Sequence, residues 1–258
     1  MNNIEVERQE SLVRLSINRP AVRNALNTET VQELIQAFRQ WGQDPSVHAI
    51  ILTGTGDKAF CAGADLNEVR QLSGVAAVRR YFGGIAELIE TMASIPPLVI
   101  AAVFGYTLAG GMGLAAGADL LVAGADTQFG LPEIKVGLFP MVVMAPIVRL
   151  IGKRRALELL MSGRMVDAVT MEQWGFCNRV VAPEEVQEQA LELARAVTPG
   201  SSAIARLGKE AFYWSSDLSY EQALHYLQNM VSLVALTEDS HEGIEAFLER
   251  RPPNWRHE

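Results

Sequence analysis

The spacing of apolar positions changes along the chain, and each change marks an element. Ile4 and Val6 alternate with acids, and Leu12, Val13, Leu15 and Ile17 flank Arg14 and Ser16 beyond a turn near Gln9-Glu10. This period of two predicts an N-terminal β-hairpin, ended by Asn18-Arg19-Pro20. Val31, Leu34, Ile35 and Phe38 then recur at helical spacing, so a helix capped by Asn27 or Thr28 runs on to Asp44-Pro45. Val47 to Leu52 reads as a short strand, followed by the turn Thr53-Gly54-Thr55-Gly56-Asp57. Helical sequence extends from beyond Asp65 to about Ala93, with breaks expected at Ser73-Gly74 and at Gly83-Gly84. Leu98 to Val103 is apolar on both faces, which places it inside a covered, mostly parallel sheet. Gly105 to Gly113 reads as a loop running into a small-residue helix, Leu114 to Ala118, and Leu120 to Ala123 as another strand. Val142 to Ile151 reads as an apolar helix.

The remainder is mainly helical. Val186, Ala190, Leu193, Ala194 and Val197 make one apolar face. Tyr220, Ala223, Leu224, Leu227 and Val231 make another, after a capping box at Ser219 and Gln222, and Pro252-Pro253 ends the last helix. Strands mixed with helices, then helices alone, predict one α/β core with a helical C-terminal region from about Pro183 or Ser201 onward.

Composition narrows the function classes. With 258 residues and 49% apolar content the chain can bury a sizeable core, which excludes wholesale disorder. A net charge of −8 opposes a phosphate backbone, so no nucleic-acid partner is expected. Two cysteines, Cys61 and Cys177, cannot form a disulfide framework and suggest a reducing compartment. The start, Met1 to Glu7, lacks a basic stretch before an apolar run, so no signal peptide is expected and the location is read as cytoplasmic. Residues 91–118 carry no charge and are long enough to cross a bilayer. Pro96-Pro97 and Gly105, Gly110, Gly111, Gly113 and Gly117 make them a poor lipid-facing helix, so the segment reads as buried strand, turn and helix, with no membrane partner.

Most catalytic signatures are missing. There is no Gly-x-Ser-x-Gly, no Walker loop before Gly152-Lys153 or Gly208-Lys209, no Cys-x-x-Cys and no His-Glu-x-x-His. His48, His225, His241 and His257 are scattered, and no metal site is expected. Gly111-Met112-Gly113-Leu114-Ala115-Ala116 has the Gly-x-Gly-x-x-Ala form of dinucleotide sites, but Asp119 comes too early to serve as the ribose acid. Two turns share a design: Ala62-Gly63-Ala64-Asp65 and Leu108-Ala109-Gly110-Gly111 each set small residues at the start of a helix. The N–H groups there lack intrahelical partners, and two of them converging on one oxygen make an oxyanion hole. Tight helix–strand packing asks for the same residues, so both readings stand at this level.

Taken in order, several segments resemble the enoyl-CoA hydratase/isomerase, or crotonase, family over nearly the whole chain. They are Asn18-Arg19-Pro20 with Asn24-Ala25-Leu26, Ile51-Leu52-Thr53-Gly54, and Ala59-Phe60-Cys61-Ala62-Gly63-Ala64-Asp65-Leu66. Pro97 to Val103, Gly105-Tyr106, Ala109-Gly110-Gly111, and Phe129-Gly130-Leu131-Pro132-Glu133 with Gly137 follow. Glu242 to Phe247 and Arg251-Pro252 match the family's C-terminal region. The resemblance implies a crotonase-like ββα spiral core over residues 1–200 holding an acyl-CoA site, and a helical trimerisation region over 201–258. It implies a homotrimer or hexamer and acyl-CoA thioester substrates, with no cofactor apart from the coenzyme A of the substrate.

By the same resemblance, the backbone N–H groups of Ala64 and Gly110 hold the thioester oxygen, and Glu133 is a catalytic glutamate. Its setting, Leu131-Pro132-Glu133-Ile134, is apolar, so burial can raise its pKa and suit it to proton transfer. The second glutamate of the family's hydratases falls on Gly113, which has no side chain. A single glutamate suits proton shuttling between C2 and C4 of an enoyl-CoA, hydration remains open, and Asp65 or Glu68 are other acids near the motif. Arg23 falls in the segment that contacts the coenzyme A head, while the family's usual lysine two residues earlier is Ala21. Ala62, Asp65, Leu66 and Gly111 flank the two donors and are expected to bind substrate, the first three along the pantetheine or adenine path, and Phe82, Leu138, Phe139 and Met141 are expected at the acyl pocket. A catalytically inactive crotonase-fold scaffold that binds acyl-CoA or a protein partner is the alternative.

Overall fold

The computed structural model describes residues 1–198 and 200–257. Its main sheet has six strands among the described residues. β1 (Ile4–Gln9) and β2 (Leu12–Ile17) form the antiparallel hairpin, with Ile4 opposite Ile17 and Gln9 opposite Leu12. β3 (Ala49–Gly54) and β4 (Leu98–Val103) continue in parallel from β2. β6 (Leu120–Gly124) and β9 (Arg179–Val181) complete the parallel series. Because side chains alternate between faces, each central strand feeds two cores. Ile50, Leu52, Val99 and Ala101 face one side, while Ala49, Ile51, Ile100 and Ala102 face the other. The first side is covered by α1 (Thr28–Gly42), α3 (Gly74–Ser94) and α4 (Gly110–Gly117), the second by α8 (Val186–Val197). A small sheet joins β5 (Tyr106–Leu108), β7 (Gln128–Gly130) and β8 (Met165–Asp167). The short strands β5, β7, β8 and β9 are not part of the sequence expectation.

Several helices differ from their expected bounds. α3 runs unbroken through Gly83-Gly84. A Cβ at Gly84 would meet Val31 Cγ1 at 3.3 Å, so the glycine brings α3 close against α1. α4 begins at Gly110 instead of Leu114, and all eight of its residues are buried. Burial there overrides the poor helix propensity of its glycines. α5 begins at Met144, two residues late, and β3 at Ala49, also two residues late. Asn27 caps α1 through its side chain, which accepts from the Thr30 N–H at 2.9 Å.

After α2 (Leu66–Val69), α5 (Met144–Ile151), α6 (Lys153–Ser162) and α7 (Ala168–Gln173), the chain finishes in three helices. These are α9 (Ser202–Ser215), α10 (Tyr220–Val234) and α11 (Glu238–Glu249). α11 stops three residues before Pro252, with Arg250 in the left-handed conformation as its cap. α9 is tied to the core by one buried ion pair. Lys209 Nζ donates to Asp119 Oδ2 at 2.7 Å and to the carbonyls of Met92 and Pro97. The Tyr213 hydroxyl donates to Asp119 Oδ1 at 2.7 Å. α10 has its expected capping box but buries no residue within the protomer. Among the described residues, no helix is long and apolar enough to cross a membrane, and Cys61 and Cys177 are buried and unpaired.

Candidate active site

The two glycine-rich turns lie side by side because short pairings draw them together. Cys61 bridges Thr107 in parallel, and the Leu108 N–H donates to the Cys61 carbonyl at 3.0 Å. Gly63 makes the final approach possible. Its φ is +94°, and a Cβ there would sit 2.5 Å from Ala109 Cβ and 2.9 Å from the Gly110 nitrogen. On the other side, a Cβ on Gly110 would lie 3.6 Å from the Ala64 nitrogen. Ala64 bridges Leu26 in parallel, which uses the Gly63 carbonyl and the Asp65 N–H and leaves the Ala64 N–H out of that pairing. The Gly110 N–H opens α4, where no intrahelical acceptor exists and the helix dipole favours negative charge.

Ala109, just before this helix, holds φ 53° and ψ −124°. A non-glycine residue in this region costs on the order of 1–3 kcal/mol, and such strain collects at functional sites. Here it aims the Gly110 N–H. The sequence carries no signal for it beyond the neighbouring glycines.

Glu133 comes from a 3-10 turn, Pro132–Val136, started by a proline and closed by Gly137 at φ 79°. Its carbonyl is held by the Leu138 N–H at 3.0 Å. The side chain is half-buried, and among the described residues its Oε2 is buried without a hydrogen-bond partner. Burial pushes the Glu133 pKa up to about 7, offset in part by a hydrogen bond from its own backbone N–H.

Ala64, Gly110 and Glu133 line one cavity of about 570 Å³. Its walls are apolar: Phe82 and Ile85 come from α3, and Leu138, Phe139, Met141 and Val143 follow the glutamate. Ala62 and Leu66 line it as well. Among the residues expected at the site, three are engaged elsewhere. The Asp65 carboxylate pairs with Arg19 at 3.0 Å and accepts from the Asn67 N–H, so it caps α2 and is not in the cavity wall. Glu68 accepts from the Thr28 N–H at 2.9 Å and so closes the start of α1. Gly111 faces the Cys61 backbone, where a Cβ would fall 2.1 Å from the carbonyl oxygen. Arg23 lies outside the apolar cavity, exposed, with its guanidinium 5.5 Å from the Tyr106 ring centre. Its carbonyl accepts from the Ala62 N–H at 3.0 Å, so it adjoins the Ala64 turn.

Gly113 has a partner that the sequence did not reveal. A Cβ there would lie 2.2 Å from Val143 Cγ1 and 2.6 Å from Val143 Cβ. The buried valine therefore fills the space beside Gly113. The four histidines stay out of the cavity, and the described residues contain no cluster of three metal-ligating side chains.

Residues 7–258 match the enoyl-CoA hydratase/isomerase family. A probable enoyl-CoA hydratase of Mycobacterium tuberculosis is 36% identical, over 98% of both chains. The 2,3-dehydroadipyl-CoA hydratase of Escherichia coli is 33% identical, over 99% of both. The crystal structure of an enoyl-CoA hydratase from Mycobacterium smegmatis superposes with a TM-score of 0.96 at 32% identity, over 99% of each chain. The mixed α/β architecture is thus the crotonase fold, and the chain belongs to the enoyl-CoA hydratase/isomerase family of enzymes acting on coenzyme A thioesters.

Proposed function

We propose that this protein moves a proton at C2 of an enoyl-CoA through a thioester enolate, with Glu133 as its single acid/base. The observation that carries the reading is the Glu133 carboxylate itself. Glu133 lines the same apolar cavity as Ala64 and Gly110, and among the described residues its Oε2 is buried without a partner. A carboxyl poised at about 7 can both take and return a proton near neutral pH. The Ala64 and Gly110 N–H groups take the charge that develops on the thioester oxygen, reinforced by the dipole of α4. The reading calls for no metal and no cofactor beyond the coenzyme A carried by the substrate. Arg23, set beside the Ala62 N–H, serves the coenzyme A head, and Phe82, Leu138, Phe139 and Met141 enclose the acyl chain.

Two overall reactions pass through this enolate. In isomerisation, Glu133 removes a C2 proton from a 3-enoyl-CoA and returns it at C4, leaving the 2-enoyl product. This needs one carboxylate, which is what the cavity offers. In hydration, Glu133 takes the proton of a water adding at C3 and delivers it to C2. The names of the relatives favour hydration, and the Val143 side chain beside Gly113 favours isomerisation.

The remaining surface suits assembly from copies of this chain as a trimer or hexamer. Tyr220 of α10 and Phe247 of α11, each 82% exposed, and Leu236, 76% exposed in the turn between these helices, leave apolar surface uncovered in the C-terminal region. The spiral core over residues 1–200 then carries the site, and 201–258 carries the contacts. Two unpaired thiols, Cys61 and Cys177, suit a reducing, cytoplasmic setting.

The test is a steady-state assay with crotonyl-CoA and 3-hexenoyl-CoA, beside Glu133→Gln. The variant is expected to lose at least about 100-fold in kcat, in the range of general acid–base catalysis, while still binding hexanoyl-CoA. The substrate turned over by the wild type separates hydration from isomerisation. Thioester binding without turnover of either substrate, unaltered by Glu133→Gln, is the outcome that an inactive scaffold predicts.

A further inference from the structure

The Ala64 N–H is aimed by a short piece of backbone pairing, and that pairing is clasped from outside by one side chain. The Leu26 N–H donates to the Gly63 carbonyl at 2.8 Å, and the Asp65 N–H donates to the Leu26 carbonyl at 2.9 Å. Ala64 lies between these two bonds, so its N–H is turned to the opposite side. The Tyr81 hydroxyl completes the clasp. It donates to the same Leu26 carbonyl at 2.6 Å and accepts from the same Asp65 N–H at 3.0 Å. Tyr81 is 5% exposed, and burial raises its pKa further above neutrality, so it stays a neutral donor. A second restraint reaches the turn through Asp65, which pairs with Arg19 at 3.0 Å.

Tyr81 also connects the turn to the acyl pocket. It stands on α3 next to Phe82, which lines the cavity, and the two rings meet edge to face with centres 5.1 Å apart. A group that touches no reacting atom thus holds both the donor turn and the helix that carries a pocket wall.

Building on the oxyanion reading above, we propose that Tyr81 is a positioning residue: its hydroxyl fixes the direction of the Ala64 N–H and so sets how strongly the thioester carbonyl is polarised. Deleting an oxyanion donor costs about 10²–10³ in kcat, and a donor left in place but loosened costs less, about tenfold. Substrate affinity depends on the cavity walls and the coenzyme A contacts, which Tyr81→Phe leaves in place along with the edge-to-face packing.

The test compares wild type with Tyr81→Phe in two ways. Steady-state kinetics on the substrate that the wild type turns over should show kcat lower by about tenfold, with KM within twofold. Difference infrared spectra of bound hexanoyl-CoA, labelled with carbon-13 at the carbonyl, report polarisation directly and need no turnover. The carbonyl band should move down on binding to the wild type, and move down less in the variant at an equal dissociation constant. A wild-type shift that the variant retains in full overturns the role of Tyr81 while leaving the oxyanion reading intact. A wild-type band unmoved from free hexanoyl-CoA overturns the oxyanion reading, and the Tyr81 role with it. If Tyr81→Phe does not fold, 4-fluorophenylalanine placed at position 81 fills the space of the hydroxyl but cannot donate to the Leu26 carbonyl. An unchanged carbonyl band in that protein also overturns the proposal.

Discussion

Replacing Glu133 by glutamine should change how stability depends on pH, and the direction is fixed by the cause of the perturbation. Burial raises the Glu133 pKa from 4.5 to about 7. Between these values the folded protein holds a proton that the unfolded chain has released, so wild-type stability falls as pH rises. The contribution is fully present below about 4.5 and is lost by the time pH passes about 7. At about 1.36 kcal/mol per pH unit, a pKa rise from 4.5 to about 7 sets a ceiling of about 3.4 kcal/mol. The carboxylate is only half-buried, and solvent screening reduces the expected change to about 1–2 kcal/mol. Glutamine does not titrate, so the variant lacks this slope while sharing every other titration. Urea denaturation of both proteins at one protein concentration, from pH 5 to pH 8, isolates the term as their difference. Wild type should lose about 1–2 kcal/mol relative to Glu133→Gln across that window. In parallel, wild-type kcat/KM should rise with pH to a plateau above about 7, where the carboxylate is free to accept a proton. A stability difference that stays flat within about 0.5 kcal/mol, or that grows in favour of wild type as pH rises, would refute burial as the origin of the raised pKa.

Two further outcomes follow from packing. Gly113→Ala places a methyl 2.2 Å from Val143 Cγ1, so overpacking of about 1–3 kcal/mol should exceed the gain of about 1 kcal/mol in helix propensity. Val143→Ala cannot remove the clash, because Val143 Cβ is itself 2.6 Å away, whereas Val143→Gly can. A thermal-denaturation cycle with Gly113→Ala and Val143→Gly should therefore give a double variant more stable than the sum of the singles, and simple additivity would count against the contact. Asp119→Asn leaves Lys209 buried without its counter-charge, at a cost of about 3–5 kcal/mol. Hydrogen exchange should accelerate along α9, and unchanged protection there would show that the ion pair does not anchor that helix.

How much of this molecule was legible depended on how locally each feature is encoded. Leu98 to Val103 announces a doubly covered strand because both faces are apolar, and β4 sits at the centre of the parallel series. The hairpin, the Asn27 cap and the Ser219–Gln222 capping box are written within a few residues, and all are present. Gly83-Gly84 misled as a helix break because its reason is tertiary: Gly84 faces Val31 on α1. α10 shows the limit of periodicity. Its apolar stripe specifies a face, yet Tyr220, Leu224, Leu227 and Val231 of that stripe stay exposed in the protomer.

The site divides along the same line. Ala64, Gly110 and Glu133 stand in local motifs that a resemblance can reach, and the fold sets all three on one cavity. Tyr81 acts on a carbonyl 55 positions earlier, which no local pattern records. The strained backbone of Ala109 likewise depends on neighbours brought in from elsewhere, since its N–H is held by the Gly130 carbonyl. Gly113 is the sharpest case. In the sequence it reads as a side chain missing from a catalytic position, which would leave a void beside α4. In the structure the void does not exist, because Val143 occupies it from the segment that also lines the apolar cavity. A void of that size would cost stability for want of contacts. Gly113 and Val143 thus form one packed unit, and a carboxylate at position 113 is sterically compatible with this site only if position 143 gives up its side chain as well.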